Sequence, residues 1–334
     1  MARSKNNRKI RYAVVGLGHI AQVAVLPAFA HARSNSQLTA LVSEDPQKLK
    51  SLGRRYGVDH LFSYEEYGDC LRSGSIDAVY IATLPDSHAG YSIAALNAGK
   101  HVLCEKPPAV NAAQLEPVLE LAKKKGLLFM EGMKPPFYPL YRKLKEYLQK
   151  DPIGKIGYVR AGSAVMDCPP EHPNYSYDLI GGGIMQIAPY EAFLALDWLG
   201  PMSGLQAMGR FSGKQVDMFS TFQTQHDQGY AQLYCGFDMH GKGDALIVGQ
   251  LGHITIHKNW WNPAKATIEY LDGRIVELDE PFTAGGLNYE IEHFCDLIRN
   301  GQTESPIITH ELSRQMIAML EEARKQIGLR FEGE

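Results

Sequence analysis

The sequence predicts a two-domain chain: a doubly wound parallel α/β sheet first, then an α+β domain on a large, open, mostly antiparallel sheet. Three observations predict it. Short apolar runs alternate with segments of helical length as far as about residue 133. A glycine-rich turn, Gly16-Leu17-Gly18-His19-Ile20-Ala21, joins the first run to the first helix. From Leu205 to Leu278 the rhythm changes to strand-like runs broken by Gly, Asp or Asn, as in an antiparallel meander. At 334 residues the chain is long enough for two cores. The expected domains are residues 1–133 and 134–334.

The elements follow in order. Arg11 to Val15 is a buried strand, and the helix after the glycines runs to about Ala32. Leu38 to Val42 is the second strand. The next helix is punctuated by Asp45 as N-cap, Pro46 at its first position and Gly57 beyond its end. Ser63 and Glu66 have capping-box spacing. Ala78 to Ala82 is a strand, its helix stops at Gly99, and His101 to Cys104 is the next strand. A helix over 111–125 and a strand over 127–130 complete the parallel sheet. In the second half, a helix spans 140–149 and Lys150 to Gly154 marks a boundary. A strand over 156–165, a Pro-rich loop over 168–173 and Gly181-Gly182-Gly183 follow. A helix from Ile184 to about Leu199 precedes the meander, and helices over 286–300 and 309–328 close the chain.

Composition narrows the function classes. Apolar residues make up 45% and charged residues 21%, as in soluble globular proteins. A net charge of −3 gives no reason to expect nucleic acid or an anionic membrane. No apolar stretch approaches the roughly 20 residues that span a bilayer. The basic start, with Arg3, Lys5, Arg8, Lys9 and Arg11, reads as a solvated tail or, alternatively, a targeting arm. Five widely spaced cysteines, including Cys168, form no CxxC and fit reduced thiols in the cytoplasm. His253 and His257 lie four apart on a strand, but no carboxylate or thiol joins them at zinc spacing, so no metal is expected. Trp260-Trp261 reads as packing or, alternatively, as an interface or a sugar platform.

The chemistry begins at the first turn. Gly16 permits the tight strand-to-helix turn, Gly18 lets backbone approach a pyrophosphate, and Ala21 stands where the fingerprint often has its third glycine. Following a strand and opening a helix, this is the Rossmann fingerprint for a dinucleotide. About 20 residues on, an NAD enzyme usually offers an acid to the ribose 2′-OH. Here the position holds Ser43, followed by Glu44, with Lys48 one turn into the helix. Ser43 and Lys48 suit a 2′-phosphate and favour NADP(H), while Glu44 leaves NAD(H) possible. Glu105-Lys106-Pro107 ends a strand at the sheet edge where ligands bind. Lys106 can hydrogen-bond a substrate hydroxyl and depress the pKa of a neighbouring acid; alternatively it is a surface lysine in a turn. Its bond to Pro107 can be cis.

These residues resemble the Gfo/Idh/MocA group of glucose–fructose oxidoreductase, inositol dehydrogenase and rhizopine-catabolism proteins. The resemblance covers nearly the whole chain. It rests on Tyr12 to Gly18, Ile81 to His88, Ala98 to Pro107, and the triplet Gly181 to Gly183 with its following helix. It implies that Lys106 is catalytic and that Thr83, Leu84 and His88 line the cofactor site with Glu105. Many members carry Asp and then His after the triplet; this chain has Gln186 and Tyr190 there, which at four apart share a helix face and so, with Lys106, form the implied catalytic set. Tyrosine at the second place resembles the glucose–fructose oxidoreductase and dihydrodiol dehydrogenase branches, where it is the acid/base. Alternatively, Tyr190 is a core aromatic. Lys134, Tyr175, Tyr177 and Asp178 would then bind a carbohydrate-like substrate, or be loop chemistry. The resemblance also implies a homodimer or homotetramer. The expected activity is hydride transfer between nicotinamide and a sugar, polyol or related hydroxyl/carbonyl compound. Rival readings are an NAD-using glycoside hydrolase and a non-catalytic dinucleotide-binding regulator.

Overall fold

The structure, a computed structural model, describes residues 8–166, 169, 171–213 and 215–332. Arg3, Lys5 and Cys168 lie outside the described residues.

Six strands form a parallel sheet: β1 Ile10–Val15, β2 Ser36–Val42, β3 His60–Phe62, β4 Ala78–Ile81, β5 His101–Glu105 and β6 Phe129–Gly132. Their order is β3-β2-β1-β4-β5-β6, the doubly wound order in which the sheet reverses direction between β1 and β4. The strands are apolar on both faces; Val14, Val15, Val79 and Ile81 are all fully buried. The first helix begins as a π-helical turn over Ala21–Val25 and continues as α1, Leu26–Phe29. Helix α2, Pro46–Tyr56, is capped as the sequence predicts: the Asp45 carboxylate accepts from Gln47 N at 2.9 Å and Lys48 N at 3.0 Å, and Gly57 is left-handed at φ +67°. Ser63 and Glu66 exchange their two capping-box bonds, Ser63 N to Glu66 Oε2 at 2.8 Å and Glu66 N to Ser63 Oγ at 3.2 Å, just before α3, Tyr67–Arg72. Helices α4, Pro85–Asn97, and α5, Ala112–Lys125, complete the alternation.

The later elements are α6, Pro139–Lys150; β7, Ile156–Ala164; α7, Gly183–Gln186; α8, Ala188–Leu199; and seven strands. The strands are β8 Met202–Phe211, β9 Asp217–His226, β10 Tyr230–Gly236, β11 Ala245–Gly249, β12 Gly252–Ile256, β13 Lys265–Tyr270 and β14 Ile275–Asp279. The sheet order is β14-β13-β12-β11-β7-β10-β9-β8. The meander predicted from sequence is therefore split: β7 enters its middle, parallel to β10 and antiparallel to β11. Helices α9, Leu287–Arg299, and α10, His310–Ile327, end the chain.

Two compact units divide these elements. The first is residues 1–109, 113–134 and 283–310; the second is residues 110–112, 135–282 and 311–334. Helix α9, which the sequence boundary assigns to the second domain, thus packs with the first unit. Its apolar stripe of Leu287, Ile291 and Phe294 is buried there, and Phe294 lies 6.3 Å from the Tyr12 ring of β1.

One helix departs from the sequence prediction. The helix expected from Ile184 to Leu199 is interrupted at Ile187, whose φ of −114° distorts the helical turn there. Pro189 has no N–H to continue the ladder. Gln186 ends α7 and Tyr190 lies in α8, so an irregular turn at Ile187 stands between the two.

Candidate active site

In the first unit the site forms where the loops after β1 and β4 approach each other. Gly16 has φ +92°, and a Cβ on it would lie 2.7 Å from the Ala82 carbonyl oxygen and 2.8 Å from Thr83 N. Only glycine lets these loops close at the reversal point of the sheet. A Cβ on Gly18 would meet nothing within 4 Å. That is the open cradle a pyrophosphate needs, so these residues fit a dinucleotide. His19 and Ile20 are exposed beside it. Leu17 turns its side chain into the core, its carbonyl accepting from Gln22 Nε2 at 2.8 Å, and Ala21 is fully buried.

At the end of β2, Ser43 is buried and its Oγ accepts from Asp45 N at 3.3 Å. Asp45 is committed to capping α2 and to an ion pair with Lys48 Nζ at 3.5 Å. Glu44 is exposed. Its charge still reaches Tyr64, which burial, Tyr91 and Glu44 together push up to about 12.

The loop after β4 is tied to the tripeptide after β5. Ser87 Oγ lies 2.8 Å from both Thr83 Oγ1 and the Leu84 carbonyl oxygen, so its one hydrogen goes to one of them and the Thr83 hydroxyl can supply the other bond. His88 is only 1% exposed, with Nδ1 2.8 Å from the Pro107 carbonyl oxygen and Nε2 3.1 Å from that of Thr83. Burial lowers its pKa, so the neutral ring is favoured. The structure therefore gives His88 a clamping position between the two loops, its ring nitrogens directed at backbone rather than at an open face. The Lys106–Pro107 bond is cis.

Beneath Lys106 lies a buried polar cluster. Tyr80 Oη is 2.9 Å from Glu105 Oε1 and 2.9 Å from Glu290 Oε1, and Tyr80 is fully buried. Burial raises both carboxyls. The charges of Lys106 and Lys134 oppose that rise at Glu105. Burial lowers Lys134 to about 8, against the pull of Glu105. Sequence reasoning missed Tyr80 and Glu290. Tyr80 reads as a core residue of an apolar strand. Glu290 left a signal: it sits on the apolar face of an amphipathic helix, one position before Ile291.

In the second unit the glycine triplet folds around Asp217. Its Oδ2 accepts from Ile184 N at 3.0 Å and from Ser220 Oγ at 2.7 Å. A Cβ on Gly182, which has φ +102°, would come 2.2 Å from Asp217 Oδ1. Burial raises the Asp217 carboxyl to about 6, against the hydrogen bonds it accepts. Gln186 Nε2 donates to the Ile180 carbonyl at 3.0 Å, so its amide helps fix the chain entering the triplet. Tyr190 is half-buried. Tyr175, Tyr177 and Asp178 line a cleft of about 520 Å³ with Glu171, His172 and Gln215. Tyr177 Oη donates to the Arg330 carbonyl at 2.5 Å.

No cluster of metal-ligating side chains occurs among the described residues. His253 pairs with Glu269 at 3.2 Å, and His257 Nε2 lies 2.8 Å from Thr267 Oγ1. Trp260 is fully buried, a packing residue. No described helix is long and apolar enough to cross a membrane.

Comparison with known proteins agrees with this chemistry. Residues 10–133 match the family described as oxidoreductases with an NAD-binding Rossmann fold. The chain is 31% identical to scyllo-inositol 2-dehydrogenase (NADP(+)) IolU of Bacillus subtilis, over 96% of this chain and 98% of that one. It is 26% identical to trans-1,2-dihydrobenzene-1,2-diol dehydrogenase of Bos taurus, with the same coverage. Among solved structures, the 3-ketoreductase KijD10 of Actinomadura kijaniata, in complex with NADP and TDP-benzene, is 26% identical. It superposes with a TM-score of 0.84 over 95% of this chain and 98% of that chain. These relatives are dehydrogenases and reductases, which favours an oxidoreductase over the hydrolase and regulator readings. With a glycine cradle at the sheet reversal and Glu105-Lys106-Pro107 closing β5, the chain belongs to the Gfo/Idh/MocA oxidoreductase family, whose first domain is an NAD-binding Rossmann fold.

Proposed function

We propose that this oxidoreductase transfers hydride between NADP(H) and a cyclic polyol, sugar or related hydroxyl/carbonyl compound, with Tyr190 as acid/base and Lys106 as the assisting charge. The observation that carries this reading is the cradle at Gly16 and Gly18 in the same unit as Lys106, which follows the carboxyl end of β5. The nicotinamide, when bound, accepts or supplies the hydride. The chain's own residues do the rest. Gly16 and Gly18 leave room for the pyrophosphate, with Leu17, His19, Ile20 and Ala21 shaping the turn. Thr83, Leu84 and Glu105 border the nicotinamide end, with His88 behind them. Lys106 hydrogen-bonds the substrate oxygen and stabilises negative charge developing there. Tyr190 takes the hydroxyl proton during oxidation and returns it during reduction. Gln186 fixes the segment that leads to Tyr190, while Lys134, Tyr175, Tyr177 and Asp178 select polyhydroxylated ligands.

The preference for NADP(H) rests on Ser43, which occupies the place of the usual ribose-binding acid, and on Lys48 nearby. The Bacillus relative is named for NADP(+) and the Actinomadura structure is a complex with NADP, which supports the same preference. Replacing Ser43→Asp restores that acid and is expected to move the kcat/KM ratio at least tenfold toward NAD(H), read by titrating each cofactor. We also place the enzyme in the cytoplasm as a homodimer or homotetramer. Four buried free thiols, Cys70, Cys104, Cys235 and Cys295, fit a reducing compartment.

Lys106→Ala and Tyr190→Phe test the roles. Each is expected to lower kcat by about 10²–10⁴-fold while cofactor affinity stays within a few-fold. Full activity in Tyr190→Phe would remove tyrosine from the acid/base role.

A further inference from the structure

The Tyr80 phenol lies 2.9 Å from one oxygen of each of two buried carboxyls, Glu105 and Glu290. A phenol carries one hydrogen and can donate it to one of them. The second contact is a hydrogen bond only if that carboxyl itself carries a proton and donates to the phenol oxygen. Were both ionised, two negative charges would share a site that is closed to water, and one oxygen pair would face each other without a hydrogen.

The surroundings decide which carboxyl holds the proton. Glu105 adjoins Lys106, whose backbone N–H and side-chain charge both favour its ionised form, as does Lys134. Glu290 projects from α9, is 1% exposed, and has only Lys134 as a favourable charge. Its other neighbours, Glu105, Tyr80 and Tyr12, penalise ionisation or merely hydrogen-bond. Cys295, on the same helix, is taken up with Tyr12 Oη at 3.4 Å. Glu290 Oε2 meets no hydrogen-bond partner among the described residues. A neutral carboxyl tolerates that state far better than a carboxylate.

We infer that Glu290 is a positioning residue that bears the proton of this carboxyl pair at neutral pH, so that Tyr80 donates to Glu105 and the Glu105 carboxylate is held facing Lys106 and Lys134. No residue of the expected dinucleotide domain supplies this proton; it comes from a helix more than 150 residues downstream of the last parallel strand. Its consequence for the reaction rests on the proposed role of Lys106, because Glu105 fixes the backbone and the charge environment of that lysine. Ionising Glu290 would release Tyr80 from Glu105 for part of the time and add a negative charge beside Lys134.

Glu290→Gln keeps a donor for the Tyr80 oxygen and removes the titrating proton; Glu290→Ala removes both. The infrared difference spectrum at pH 7.5 between parent and Glu290→Gln is expected to show the loss of one un-ionised carboxyl. The parent's unfolding constant is expected to rise tenfold more per pH unit than that of Glu290→Gln within the window where the native carboxyl is still protonated and the unfolded one is ionised. In turnover, Glu290→Ala should lower kcat tenfold or more with KM little changed, and Glu290→Gln should recover most of it. A difference spectrum in which only an ionised carboxylate is lost would overturn the inference. So would equal losses of kcat in the two variants. The infrared and unfolding readouts need no turnover, so they stand or fall separately from the assignment of Lys106 as catalytic.

Discussion

A methyl group on Gly16 would sit 2.7 Å from the Ala82 carbonyl oxygen, in a backbone conformation that L side chains rarely adopt. Gly16→Ala must therefore push the β1 and β4 loops apart, and is expected to weaken dinucleotide binding at least tenfold while lowering Tm by several degrees. Calorimetric titration with NADP checks the first effect and thermal unfolding the second. Asp217 offers a pH test at the same scale. Its carboxyl is raised to about 6 in the fold, mainly by burial, against 3.8 unfolded. Between these values the native state keeps a proton that the unfolded chain has released. Stability therefore falls as pH rises through that window, by about 3 kcal/mol in all if the group acts alone. Asp217→Asn keeps an acceptor for Ile184 N and is expected to flatten this fall, as measured by denaturant unfolding at pH 4, 5 and 6. An unchanged slope would show that Asp217 is not the group titrating. Both residues act through backbone geometry, Gly16 by absence of a side chain and Asp217 by accepting the N–H that opens α7.

At the scale of elements, local chemistry explains what could be read from sequence. Asp45, Pro46 and Gly57 bracket α2 because a side-chain acceptor, a ring with preset φ and a left-handed glycine act within a few residues. The capping box at Ser63 and Glu66 is legible for the same reason. The break between α7 and α8 also had a local signal, Pro189, which the helix reading passed over. Placement of β7 had none. Its parallel pairing with β10 joins Tyr158 to Tyr230 and Ala164 to Gly236 across more than 70 residues of chain, and no turn signal encodes that register. At Gln186, four-residue spacing puts it near Tyr190, but spacing alone does not foretell the bond from its amide to the Ile180 carbonyl, where Ile180 has φ +56°.

For the whole molecule, the six-strand order and the glycine fingerprint specify each other: a fingerprint after β1 binds a dinucleotide because β1 and β4 flank the reversal of the sheet. That much was legible, and so was the place of Glu105-Lys106-Pro107 at the end of β5. Contacts made at long range were not. Helix α9 returns to the first unit late in the chain and carries Glu290 to Tyr80, a pairing across 210 positions. A carboxylate in an apolar helical stripe marks such a residue as unusual without naming its partner. We propose hydride transfer on a hydroxyl-bearing carbon as the activity of this fold. Its most direct test is the absorbance of reduced nicotinamide after the protein is mixed with NADP and a panel of inositols, aldoses and dihydrodiols. Growth of that absorbance with at least one compound, faster with NADP than with NAD and lost in Lys106→Ala, is the predicted result. Tight NADP binding with no absorbance change across the whole panel would contradict it.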